Sequence, residues 1–187
     1  NTSMNFSGQN GIIYRFKSVA IDTLGNVEHK NSYDTEMNID LDFPQSKLWI
    51  VEGDYEFTNR DGVTVQWKAN LTYDIQAYLI EYRESGNITW KDFGSFTAPG
   101  QYWFSPTYDA TFELRSRTID YAGNIETKEV SDITITFDRV KPIVQLNPIN
   151  TLVGPEDLII SILYSSENLT NITLEYAQIN ENNEEEL

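Results

Sequence analysis

The feature that most restricts this chain is a segment that occurs twice. "YRFKSVAIDTLGNVE", Tyr14 to Glu28, aligns without a gap on "FELRSRTIDYAGNIE", Phe112 to Glu126. Ser18, Ile21, Asp22, Gly25, Asn26 and Glu28 fall on Ser116, Ile119, Asp120, Gly123, Asn124 and Glu126, while Tyr14 and Phe16 face Phe112 and Leu114, apolar against apolar. Self-similarity at about one small-domain length marks a chain assembled from copies of one unit.

A weaker self-match supports this. "NLTYDIQAYLIEY" from Asn70 resembles "NLTNITLEY" from Asn168, and each follows a strand-like run, "GVTVQWKA" from Gly62 and "EDLIISILY" from Glu156. The first half of a repeat thus lies at about 45–100 and again at 142–187, and the second half at about 1–42 and again at 101–141. The chain is expected to divide into the C-terminal half of one unit (1–42), a complete unit (43–141) and the N-terminal half of a further unit (142–187).

The central unit alternates with period two, the signature of strands half-buried in a sheet. Val63, Val65, Trp67 and Ala69 share a face; so do Tyr78, Ile80 and Tyr82; Phe112 and Leu114 alternate with Glu113 and Arg115; Ile133, Ile135 and Phe137 alternate with polar neighbours. Turn residues stand between these runs at a spacing of about ten residues, as in an all-β sandwich. No segment has helical periodicity. The acidic C-terminal run "NENNEEEL" reads as a solvated loop, and Trp49 in "KLWIV" as first-strand core.

Composition excludes several classes. Of 187 residues 40% are hydrophobic, enough for a packed core, but the net charge is −16, which repels nucleic acid and anionic membrane surfaces. No apolar run is long enough to insert into a membrane. Without cysteine there is neither a disulfide nor a Cys-based metal or nucleophilic site, and the lone His29 cannot build a multi-histidine site or an ordinary catalytic triad. Gly-rich phosphate loops, HExxH and EF-hand spacing are absent from the sequence. The reading is non-enzymatic. Because the chain opens on Asn1-Thr2-Ser3 without an initiating methionine, the expectation is a processed chain or a segment of something longer.

Several of these residues carry a family resemblance. Trp67 in the second long strand, "YLIEYRESGNITW" from Tyr78 and "FELRSRTID" from Phe112 resemble the immunoglobulin-like sandwich of fibronectin type III domains, and "YRFKSVAID" from Tyr14 keeps the family's sixth-strand tyrosine where the central copy has Phe112. The Asp-x-x-Gly-Asn-x-Glu ending is similar to that of tandem domains in prokaryotic, especially archaeal, surface proteins. The resemblance implies an all-β chain of tandem sandwiches, one complete and two partial, outside the cell. It says less about function, because this architecture serves adhesion, spacing and recognition alike.

The repeated motif has two readings. It is a hairpin in which Asp22 or Asp120 caps the turn and glycine takes a positive φ, or it is a calcium site with Asp22, Asn26 and Glu28, and again Asp120, Asn124 and Glu126, as oxygen ligands. Calcium takes six to eight oxygens and the motif supplies about three side chains, which favours the turn; no other cofactor is implied. Six Asn-x-Ser/Thr acceptors, at Asn1, Asn5, Asn70, Asn87, Asn168 and Asn171, exceed the roughly three expected by chance and suggest N-linked glycans. Trp90, Tyr102, Trp103 and Tyr108 read as packing residues before they read as a sugar platform.

The leading functional expectation is a structural module of a cell-surface layer, filament, stalk or adhesin, whose partners are copies of itself or neighbouring domains. The alternative is a carbohydrate- or protein-binding accessory module of a secreted enzyme. The half-domains leave two readings open: a window of a longer array, or ends that complete one another between chains by strand complementation.

Overall fold

The computed structural model describes residues 3–53, 56–71, 74–147, 160–165, 171–175, 178–179 and 185–186. Among these there is no helix, and so none that could cross a membrane; the chain is all-β with several sheets. It divides into two compact units, Asn1–Arg139 and Val140–Leu187.

The first unit opens with a two-stranded antiparallel hairpin, β1 (Ile13–Phe16) and β2 (Thr35–Asn38). A three-stranded sheet follows, in the order β3-β5-β8, from β3 (Ser46–Ile50), β5 (Val63–Ala69) and β8 (Gly100–Phe104). A five-stranded sheet has the order β4-β10-β9-β6-β7, from β4 (Phe57–Thr58), β6 (Ile75–Glu84), β7 (Lys91–Phe96), β9 (Thr111–Asp120) and β10 (Ile133–Phe137). All its pairs are antiparallel except β4 with β10.

One core joins these two sheets, an arrangement compatible with a β-sandwich. Leu48, Val63, Val65, Trp67 and Phe104 come from the first sheet, and Tyr78, Ile80, Phe112, Leu114, Ile135 and Phe137 from the second. The alternation in the sequence puts them there, since side chains two apart share a face. Trp67 packs on Phe96 (4.5 Å between ring centroids) and its indole N–H donates to the Ala98 carbonyl (3.2 Å), so its one polar atom is satisfied inside. The Tyr78 hydroxyl accepts from the Ala69 N–H (3.3 Å).

Two residues depart from the expected faces. Trp49 is not core: it pairs with Gln66 on the outer face, while Leu48, paired with Trp67, points inward. Arg115 alternates outward as expected yet is buried, because Trp90 and Glu81 cover it.

In the second unit β11 (Val144–Leu146) pairs antiparallel with β12 (Ile162–Ser165). Of the run from Glu156, residues 156–159 lie outside the described set. The acidic C-terminal run contributes a short strand, β14 (Glu185–Glu186), paired with β13 (Gln178–Ile179).

Candidate functional site: a polar clasp built twice

The repeated motif forms the same hydrogen-bonded turn in both places. In the central copy the Asp120 N–H donates to the Asn124 carbonyl (3.1 Å) and the Gly123 N–H to the Asp120 carbonyl (3.2 Å). The Asp120 carboxylate accepts from the Asn124 N–H (2.8 Å) and side-chain amide (2.9 Å). In the N-terminal copy the corresponding distances are 3.0, 3.1, 2.8 and 2.7 Å. Gly25 and Gly123 stand at φ of 89° and 91°, a left-handed conformation that a side chain would strain, and this is why the motif keeps glycine there. The bonds from Asn26, side chain first, hold the Asp22 carboxyl below the usual carboxylate range.

The likeness extends beyond the motif. Ser116 donates from its backbone N–H (2.8 Å) and hydroxyl (3.2 Å) to Asp132, and Ser18 does the same to Asp34 (2.6 and 2.8 Å). Lys128 reaches Asp132 (3.1 Å) and Glu126 (3.3 Å); Lys30 reaches Asp34 (2.7 Å) and Glu28 (3.5 Å). Lys30 and the Ser18 donors hold Asp34 far below the carboxylate range, and Asp34 raises Lys30. Lys30 and Asp34 stand as far from Lys128 and Asp132 as Tyr14 does from Phe112, so continuing the gapless alignment past Glu28 would have found them.

The copies differ in what crosses them. In the central copy β3 does. Glu126, 5% exposed, accepts from the Ser46 N–H (3.0 Å), the Ser46 hydroxyl (2.6 Å), the Thr118 N–H (3.1 Å) and the Thr118 hydroxyl (3.1 Å). The Ser116 hydroxyl donates to that of Ser46 (2.9 Å), and Lys128 donates to the Ser46 carbonyl (2.6 Å). A carboxylate offers about four lone-pair sites; Glu126 fills them with protein donors. In the N-terminal copy Glu28 accepts from the Ala20 N–H (3.1 Å), and the sheet has only β1 and β2. Among the described residues no three His, Cys, Asp or Glu side chains group so as to hold a metal ion. The carboxylates proposed as calcium ligands are turn and strand acceptors.

The remaining candidates are dispersed. Asn5, Asn70, Asn87 and Asn171 are exposed, Asn70 with its side-chain amide on Gln45 (3.3 Å) and Asn87 in the turn after β6; Asn1 and Asn168 lie outside the described residues. His29 is exposed. Tyr102, Trp103 and Tyr108, read first as packing residues, are 51%, 49% and 49% exposed, and they line one groove of about 370 Å³ with Tyr82, Phe93 and Phe104. It opens where β8 and β7 form the edges of the two sheets. Trp90 lies elsewhere, beneath the guanidinium groups of Arg83 (4.3 Å) and Arg115 (4.0 Å), beside an ion-pair ladder in which Glu81 meets Arg115 (2.7 Å) and Arg117 (2.9 Å) and Arg83 meets Glu113 (2.6 Å). The Arg115 guanidinium also donates to the Lys128 carbonyl, tying the ladder to the clasp. Burial raises the Glu81 carboxyl, but the two arginines outweigh it and hold the group below its ordinary value.

Compared with known proteins, the chain matches no protein-family model and no curated sequence.

Proposed function

We propose that this chain is a non-catalytic structural module of an extracellular cell-surface array, whether layer, filament, stalk or adhesin. In this reading fibronectin type III-like sandwiches follow one another, one complete at 43–141 and two partial at 1–42 and 142–187. The observation that carries it is the clasp, built twice with the same bonds: once closed inside a sandwich and once on a hairpin. Reuse of one structural solution is what a tandem array needs and what a reaction centre does not, since its polar groups are consumed in holding strands together. A three-stranded sheet opposite one whose main strands run β10-β9-β6-β7 agrees with the type III arrangement. The partners are copies of this chain or neighbouring domains of the array. The net charge of −16 keeps the surface soluble and away from nucleic acid, and exposed Asn5, Asn70, Asn87 and Asn171 suit N-linked glycans.

The test is location. Antibodies raised against residues 43–139 should label intact cells of the source organism, and peptide mapping of the native protein should show glycan mass on at least two acceptor asparagines. Labelling only after permeabilisation would refute the reading.

One observation favours a second reading, the accessory binding module. Tyr102, Trp103 and Tyr108 share an exposed groove, the form an aromatic sugar platform takes. Trp103→Ala should abolish any glycan-array signal with folding intact; an array without signal for the parent chain removes this reading.

A further inference from the structure

We propose that the outer face of the three-stranded sheet β3-β5-β8 binds an acidic polysaccharide, one whose pyranose rings carry carboxylates. The site rests on the binding-module reading, and gives it a surface other than the groove and a ligand of stated charge.

The register sets the residues of this face in rows. Side chains alternate along a strand, so Ser46, Leu48 and Ile50 point to the core while Lys47 and Trp49 point outward. The outward positions of β5 are Thr64, Gln66 and Lys68, and those of β8 are Gln101 and Trp103. Lys47 stands opposite Lys68; Trp49, Gln66 and Gln101 make the next row; Thr64 stands opposite Trp103. The two tryptophans are thus two strands and two residues apart, about 10 Å across the strands and about 7 Å along them. Two side-chain amides accompany them. Trp103 is seated on backbone: its ring lies against Gly62, where a β-carbon would come within 2.7 Å of it, and the residue is still 49% exposed. Trp49 is half-buried. An indole held in this way is a surface on which the C–H face of a pyranose stacks, and the amides beside it suit the ring hydroxyls.

The lysine pair sets the sign of the ligand. Like charges directly opposite one another on a sheet are destabilising. Elsewhere the central unit pairs its cations with carboxylates, as Arg83, Arg115, Arg117, Lys128 and Arg139 show. Among the described residues Lys47 and Lys68 have no ion-pair partner, although acidic side chains outnumber basic ones 29 to 13. Glu52 borders the face, but its carboxylate accepts from the Thr64 N–H (3.1 Å) and hydroxyl (2.6 Å). The fold gains nothing from two opposed ammonium groups, and a ligand carboxylate set between them removes their repulsion. The net charge of −16 does not forbid this, because charges more than about 8 Å away are largely screened at physiological ionic strength.

The test titrates the full chain, at about 0.15 M salt, with oligomers of galacturonate and of alginate, with their methyl esters and with polyglutamate, followed by calorimetry and tryptophan fluorescence. At least one uronate oligomer should bind. Its methyl ester keeps the rings and loses the charge, and should bind about tenfold more weakly. Polyglutamate keeps the charge and lacks the rings, and should not bind. Trp49→Ala and Trp103→Ala should each weaken binding about tenfold or more. Lys47→Gln should weaken it as much, yet leave the urea midpoint unchanged or raise it, since it relieves repulsion. Failure of both uronates to bind, equal binding of the esters or of polyglutamate, or binding indifferent to Trp49→Ala overturns the proposal. A lowered midpoint for Lys47→Gln does so too, because the pair would then serve the fold. If a neutral glycan binds instead, and Tyr108→Ala abolishes this while Trp49→Ala does not, the sheet face falls and the binding-module reading stands on the groove. If no glycan binds, both fall.

Discussion

Glu126 and Glu28 are the same residue of the repeated motif in two settings, and replacing each by alanine separates their contributions. Glu126→Ala strands the buried backbone N–H groups of Ser46 and Thr118 together with two hydroxyls, and removes a partner of Lys128. A buried donor left unsatisfied costs about 1–3 kcal/mol, so the two backbone groups alone set a loss of about 2–6 kcal/mol. Glu28 is largely solvated and accepts one backbone bond, from Ala20, so Glu28→Ala should cost under about 1 kcal/mol. All four tryptophans, Trp49, Trp67, Trp90 and Trp103, lie in the central unit, so tryptophan fluorescence during urea unfolding reports on it selectively. With a slope of about 1–2 kcal/mol per molar, Glu126→Ala should lower the midpoint by about 1 M or more, and Glu28→Ala should move it much less. Glu126→Gln, which keeps one carbonyl acceptor, should fall between. A Glu126→Ala unfolding free energy within about 0.5 kcal/mol of the parent would refute the clasp as the lock between β3 and β9.

Other predictions follow the same physics. Glu81 has a folded pKa below its ordinary 4.5, so it stabilises the fold above that value and the contribution fades as pH falls through the folded pKa. Glu81→Gln should cost about 1–2 kcal/mol at neutral pH and flatten the acid limb of the stability profile, measured by denaturant titration from pH 7 to pH 3. Gly62→Ala would place a β-carbon 2.5 Å from the Phe104 carbonyl and 2.7 Å from the Trp103 ring, and should destabilise by about 1–3 kcal/mol in the same urea assay. Gly123→Ala meets open space but a φ of 91°, and should cost about 1 kcal/mol through backbone strain alone.

Much of this was legible in the sequence because two signals are local. The period-two runs place Val63, Val65, Trp67, Tyr78 and Ile80 on the core face without knowledge of their partners. The Asp-x-x-Gly-Asn-x-Glu turn is closed by its own residues, so its chemistry survives even on the hairpin. What escaped depends on pairing. "KLWIV" is apolar on both faces, and only the register of Leu48 against Trp67 turns Trp49 outward. Arg115 is buried by Trp90, 25 positions before it, a contact across strands. Tyr102 and Tyr108 look like core from composition, but they sit where the edges β7 and β8 leave the sandwich open. Phe6 lies in a polar stretch with no alternation, yet its ring meets Tyr14 edge-on at 4.8 Å and Phe16 at 4.9 Å across the turn of the chain.

The central claim is that one clasp is built twice and that β3 locks the central copy, and amide hydrogen exchange reads this most directly. The Glu126 and Thr118 N–H groups should exchange slowly at any protein concentration. Those of Glu28 and Ala20, their counterparts on the exposed hairpin, should exchange fast. Equal protection of the two copies would contradict the account.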